Sequence, residues 1–120
     1  MNSSRDYLVY LEDMLNSVVK GLSFIKGFDF DTFKKDEKTQ YTLIRAIEIT
    51  GEASKKIPKH IKDKYAEIPW REISGMRDKL IHDYFGVNTK VVWETAKKDL
   101  PNLKKLIKKL IQEIDIKHSK

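Results

Sequence analysis

Cysteine is absent from the 120 residues. That excludes a disulfide framework, a thiol nucleophile and any thiolate site for zinc or an iron–sulfur cluster. Proline (3) and glycine (5) are scarce, so long irregular loops are not expected and these residues should mark joints. Uninterrupted apolar runs are only a few residues long, far short of a membrane span. The start, Met1-Asn2-Ser3-Ser4-Arg5-Asp6, lacks the basic-then-apolar pattern of a secretory leader. A cytoplasmic protein that does not cross or sit on a membrane is the expectation.

What is present fits one globular domain covering residues 1–120. Apolar residues make up 40% and charged residues 35%, too apolar for a disordered chain. Lys plus Arg number 24 against 18 Asp plus Glu, a net charge of +6. The bias permits nucleic acid or an acidic partner without specifying either.

Most of the chain reads at helical period. Tyr7, Leu8, Leu11, Met14, Leu15, Val18, Val19 and Leu22 recur at steps of three and four, predicting a helix from about Ser4 to Gly21 or beyond, with Ser4 or Asp6 able to cap it. Gly27-Phe28-Asp29-Phe30-Asp31-Thr32-Phe33 breaks the period and reads as a turn plus a short helical piece. A second helix is expected over about Asp36 to Ile57, its apolar line Tyr41, Leu43, Ile44, Ala46, Ile47, Ile49, Thr50 and Ala53, ended by Pro58. Lys59 to Glu67 reads as a short polar helix. Pro69 sits where a helix start tolerates a missing donor, and a third helix follows over about Trp70 to Phe85, stopped by Gly86. Asn88 caps a last helical region, Thr89 to about Ile116, interrupted at Pro101. No segment alternates as a strand does. The expected fold is all-α, an up-and-down bundle of four main helices plus a short one, with an apolar stripe to spare for a second copy.

Chemistry concentrates in the third helix. At about 100° per residue, Ile73, Met76, Leu80, Ile81 and Tyr84 form an apolar side that includes Arg77. A guanidinium facing a core is costly unless it is paired or opens into a cleft. His82 lies about 140° around and about 7.5 Å along from Arg77. Asp78, four residues before His82, can orient the imidazole, and Gly75 leaves a notch on the same side. A second protomer could complete such a site. By itself, one Arg and one His five apart is common by chance and fits a surface or packing role.

The wider pattern is more specific. Arg77-x4-His82-x-Tyr84 stands among Glu37-Lys38-Thr39-Gln40, Ile44-Arg45-Ala46-Ile47-Glu48-Ile49-Thr50-Gly51-Glu52-Ala53, Ile68-Pro69-Trp70, Tyr84-Phe85-Gly86-Val87, Val92-Trp93-Glu94 and Asp99-Leu100-Pro101. Together these words resemble the HepT-like HEPN proteins over nearly the whole chain. The resemblance implies a helical homodimer whose Arg-x4-His motifs meet at a cleft between protomers. It also implies a metal-independent endoribonuclease toxin without a cofactor. Its partner would be a small MNT-type nucleotidyltransferase antitoxin that transfers AMP to Tyr84. Arg77 and His82 would be the catalytic pair and Asp78 a supporting residue. Asp78 stands where the family often has Asn. A non-catalytic HEPN module that binds nucleotide or protein through the same cleft is the alternative.

The remaining features are weaker. Lys97-Lys98, Lys104-Lys105 and Lys108-Lys109 read first as a solvated helix face and second as contacts to an RNA backbone. Arg45 and Glu52 fit either cleft support or ordinary helix ion pairs. His60 and His118 read as surface residues. No metal-ligand spacing and no Gly-rich phosphate loop is present.

Overall fold

A computed structural model describes residues 4–80 and 88–118. Among these the elements are helices α1 (Ser4–Phe24), α2 (Phe30–Lys35), α3 (Glu37–Lys55), α4 (Lys59–Lys64), α5 (Trp70–Leu80) and α6 (Thr89–Glu94), a π-helical turn (Thr95–Asp99), and α7 (Leu100–His118). No strand occurs among the described residues. The four long helices of the expected bundle are α1, α3, α5 and α7. They pack in the spatial order α7–α1–α3–α5, with α6 and the π turn against α1–α3 and α2.

The core follows the helical stripes. Leu11, Met14 and Val18 of α1, Leu43 and Ile47 of α3, and Leu100, Ile107 and Leu110 of α7 are fully buried. Burial of each such side chain stabilises by about 1.5–3 kcal/mol. Two residues expected on these lines are exposed instead: Tyr41 at 70% and Val19 at 41%. Tyr41 is two positions from Leu43, about 200° around the helix, and Val19 is about 100° from Val18, so neither shares the buried stripe.

Local signals set the helix ends. Gly27, at φ 83°, turns the chain after α1 in a conformation that costs a side-chain-bearing residue. Asp29 then caps α2: its carboxylate accepts from Thr32 N–H at 2.8 Å, and Thr32 Oγ1 accepts from Asp29 N–H at 3.1 Å. The Thr32 hydroxyl also donates to the carboxylate, and this bond first, then the one from Thr32 N–H, holds the Asp29 carboxyl below its usual value. Asp36 caps α3 through Thr39 N–H at 3.0 Å. It is therefore the residue before that helix, which ends at Lys55, ahead of Ile57. The helix after Pro58 stops at Lys64, short of the expected Glu67. Asn88 caps α6 by accepting from Val91 N–H at 3.2 Å.

The expected break at Pro101 takes the form of the π turn just before it. Leu100 N–H donates to Thr95 O, five residues back. Proline has no N–H, and its ring presses on the carbonyl four residues earlier in an α-helix. The wider turn relieves that contact and lets α7 start with proline in its first turn.

Close packing positions α5. A Cβ on Gly51 of α3 would lie 3.1 Å from Ile73 O of α5, so any side chain there would press the two backbones apart by a few tenths of an ångström. One turn on, Ser54 Oγ and Ser74 Oγ are hydrogen-bonded at 2.9 Å, and Ser54 also donates to Gly51 O at 2.7 Å. Trp70 anchors the start of α5, its indole N–H donating to Tyr65 O at 3.1 Å.

Candidate functional site

α5 presents its residues as the helical wheel requires. Ile73 and Met76 are buried, Ser74 and Gly75 half-buried, and Asp78 exposed. The backbone of Arg77 lies in α5, one turn beyond Ile73. The side chain of Arg77 and all of His82 and Tyr84 lie outside the described residues, as does the expected stop at Gly86. The structure thus carries Arg77 and Asp78 on a helix pinned to α3. It does not describe how the motif side chains meet.

Beside this helix is a cavity of about 460 Å³, between α5, the π turn and the start of α7. Its apolar floor includes Ile73, Met76 and Leu103, and its polar lining includes Glu72, Lys98, Asp99 and Asn102. The size suits a small ligand or an inserted side chain. Its ionic lining is mixed: two carboxylates and one ammonium, and Lys98 already contacts Glu94 at 3.3 Å. Gly75 lines this cavity, and a Cβ there would meet nothing within 4 Å. Among the described residues, no backbone closes on the expected notch. This cavity was not foreseeable from the motif, because half of its lining comes from the π turn and α7.

A second depression lies on the other side of the π turn. It is a groove of about 450 Å³ between the end of α1, the Gly27 turn and the start of α7. Val19, Leu22, Ile25 and Pro101 line it together with Lys26, Lys97 and Lys104, and no carboxylate does. Next to it the rings of Phe30 and Trp93 stand 6.3 Å apart, and Trp93 rests on buried Phe33 at 5.1 Å. Lys97 Nζ lies 5.4 Å from the Trp93 ring, and Lys90 Nζ 4.9 Å from the Phe30 ring. Sequence reading recognised Lys97 and Lys104 as part of lysine runs but not their convergence with Phe30 and Trp93.

The minor candidates that are described fall on the surface. Arg45 is exposed, and Glu52 pairs with Lys55 at 3.6 Å, as an ordinary helix ion pair does. His60 is exposed and meets Tyr7 edge-on at 6.3 Å. The side chain of His118 lies outside the described residues. Among the described residues no group of three His, Asp or Glu side chains could hold a metal ion, and no helix is long and apolar enough to cross a membrane.

Comparison with known proteins places the chain among nucleases by name. The family model described as Ribonuclease HepT-like matches residues 14–110. "Probable ribonuclease HepT" of Thermococcus cleftensis is 49% identical over 106 residues, covering 88% of this chain and 96% of that protein. "Putative RNase MJ0125" of Methanocaldococcus jannaschii is 45% identical over 113 residues, covering 94% and 97%. "Putative RNase TTE0752" of Caldanaerobacter subterraneus subsp. tengcongensis is 44% identical over 104 residues, covering 87% and 93%. No solved structure matches the chain.

Proposed function

The chain belongs to the HepT-like ribonuclease family, and from that premise we propose that it is a metal-independent endoribonuclease acting as the toxin of a type VII HEPN/MNT toxin–antitoxin pair. The observation that carries this reading is Arg77-x4-His82-x-Tyr84, set within the matched residues 14–110. The working form is a homodimer, with the two motifs at a shared cleft.

The residue types meet what RNA cleavage without a metal requires. A base takes the proton of the 2′-hydroxyl as that oxygen attacks phosphorus. An acid protonates the leaving 5′-oxygen, and a cation stabilises the charge on the pentacoordinate phosphorus. Imidazole titrates near neutrality, so two copies of His82 at a two-fold axis supply base and acid. Arg77 stays charged and donates bidentately to the phosphate. Asp78, one helical turn before His82, orients the imidazole.

Regulation falls on Tyr84. Its phenol oxygen attacks the α-phosphorus of ATP on the antitoxin, pyrophosphate leaves, and AMP stays esterified to the tyrosine. The added charge and bulk lie two residues from His82 and repel the RNA backbone.

The test uses three strands of one sequence: RNA, its 2′-O-methyl form and its deoxy form, each with excess EDTA. Only the RNA should be cut, leaving 2′,3′-cyclic phosphate ends. Scission of the deoxy strand, or loss of activity in EDTA, would refute the mechanism. After co-expression with the nucleotidyltransferase, mass spectrometry should find AMP on Tyr84, and an unmodified Tyr84 peptide contradicts the regulation.

A further inference from the structure

We propose that the lysine-lined groove and the Phe30–Trp93 pair form one binding track for single-stranded RNA, built from elements other than the α5 helix that carries Arg77. That the occupant is RNA rests on the ribonuclease reading; that it is a single strand rests on the track itself.

Lys26, Lys97 and Lys104 line the groove, and Lys97, 5.4 Å from the Trp93 ring, joins it to Trp93, Phe30 and Lys90 beside it. Among the described residues, no carboxylate lies within ion-pair distance of Lys26, Lys90, Lys97 or Lys104. The nearby acids are engaged: Asp29 with Thr32, Asp31 with Lys34 at 3.8 Å, and Glu94 with Lys98 at 3.3 Å. The groove is therefore a concave run of positive charge with an apolar floor.

The rings decide the class of anion. Phe30 and Trp93 are half-buried; the ammonium groups of Lys90 and Lys34 lie over the Phe30 ring and that of Lys97 over the Trp93 ring. Lysine stems are flexible, so the ammonium can move to a phosphate and leave the ring to a base. A base stacks on an aromatic ring more strongly than an exposed ammonium does. Bases inside a duplex are stacked on both faces and have none to offer a ring, so Phe30 and Trp93, tilted 54° to each other, suit an unstacked strand rather than a duplex. A membrane surface fits poorly, because the groove is concave and the half-buried rings beside it do not project. An acidic peptide would use the lysines and leave the rings without a partner.

The experiment uses the full chain and a fluorescent 2′-O-methyl oligouridine of about 12 nucleotides, which a 2′-hydroxyl mechanism cannot cut. Binding is followed by anisotropy from 50 to 200 mM salt, for wild type and for Lys97→Ala/Lys104→Ala, both exposed positions. Removing two phosphate contacts should reduce the salt slope by about 1.4, so wild type loses about seven-fold more affinity across that range than the variant. Wild-type tryptophan emission should be quenched on binding. Of the two tryptophans, Trp70 is buried and hydrogen-bonded, so the change reports Trp93.

An unchanged slope overturns the track, and so does unquenched emission. Tighter binding to phosphatidylglycerol vesicles than to the oligonucleotide overturns it in favour of a membrane. Equal competition by polyglutamate overturns it in favour of a protein partner. If wild type binds as described yet cuts no unmodified RNA, the track stands and the catalytic reading falls. If wild type cuts RNA while the variant's slope is unaltered, the catalytic reading stands and the track falls.

Discussion

The two sides of the π turn differ in charge and in how they are built. On the α5 side, Glu72, Asp99 and Lys98 give a mixed lining. On the α1 side, Lys26, Lys97 and Lys104 line the groove without a carboxylate. Consecutive residues point to opposite sides: Lys97 toward the basic groove, Lys98 and Asp99 toward the cavity beside the motif helix. One widened helical turn thus separates a surface suited to holding a polyanion from a helix suited to acting on it. Selective binding and bond cleavage need not come from the same residues, and the two proposals assign them to different elements.

The largest expected effect sharpens the division. Arg77→Ala should lower RNA cleavage by about 10²–10⁴-fold, the range of a lost catalytic group. Single-turnover rates measure this, and oligonucleotide binding at the basic groove should be unchanged. Phe33→Ala should come next, destabilising the protein by about 3–5 kcal/mol in urea unfolding. Phe33 is fully buried beneath Trp93, so the quenching signal should weaken with it. If stability held, the aromatic pair would not be anchored through Phe33.

A smaller effect bears on the other side. Gly51→Ala brings a Cβ to within 3.1 Å of Ile73 O, and a backbone carbonyl cannot swing away. The cost should be about 1–3 kcal/mol. Cleavage should fall because α5 is pushed from α3, while groove binding persists at temperatures where the variant is folded. Equal loss of both functions would break the proposed separation.

The smallest effect is Asp29→Ala, a slight fall in the urea midpoint from loss of the α2 cap. The Asp29 carboxyl is held below its usual value by Thr32. Its contribution is therefore present above the unfolded value and lost as pH falls through the folded one. The gap between wild type and variant should close in acid, and a gap that persists there would contradict the cap.

Much of the fold was readable because its signals are local. Asn88 marks a helix start by side-chain chemistry alone, and Leu11, Met14 and Val18 repeat at the spacing that a buried stripe demands. Tyr41 and Val19 were misjudged because an apolar residue near a stripe is not on it; phase decides, and phase is known only once neighbouring helices are placed. The motif was readable because Arg77, Asp78, His82 and Tyr84 lie within eight residues of one another in a single stretch. The basic groove was not, since Lys26, Phe30, Trp93 and Lys104 come from segments far apart in the chain. Nor was Gly51, whose role is set by a carbonyl 22 residues onward, at Ile73.

One measurement bears most directly on the catalytic claim: wild type and His82→Ala, matched in folded fraction by circular dichroism, incubated with the same RNA in EDTA. Wild type should fragment the RNA and the variant should leave it intact. Equal fragmentation by both would contradict the assignment of the chemistry to this motif.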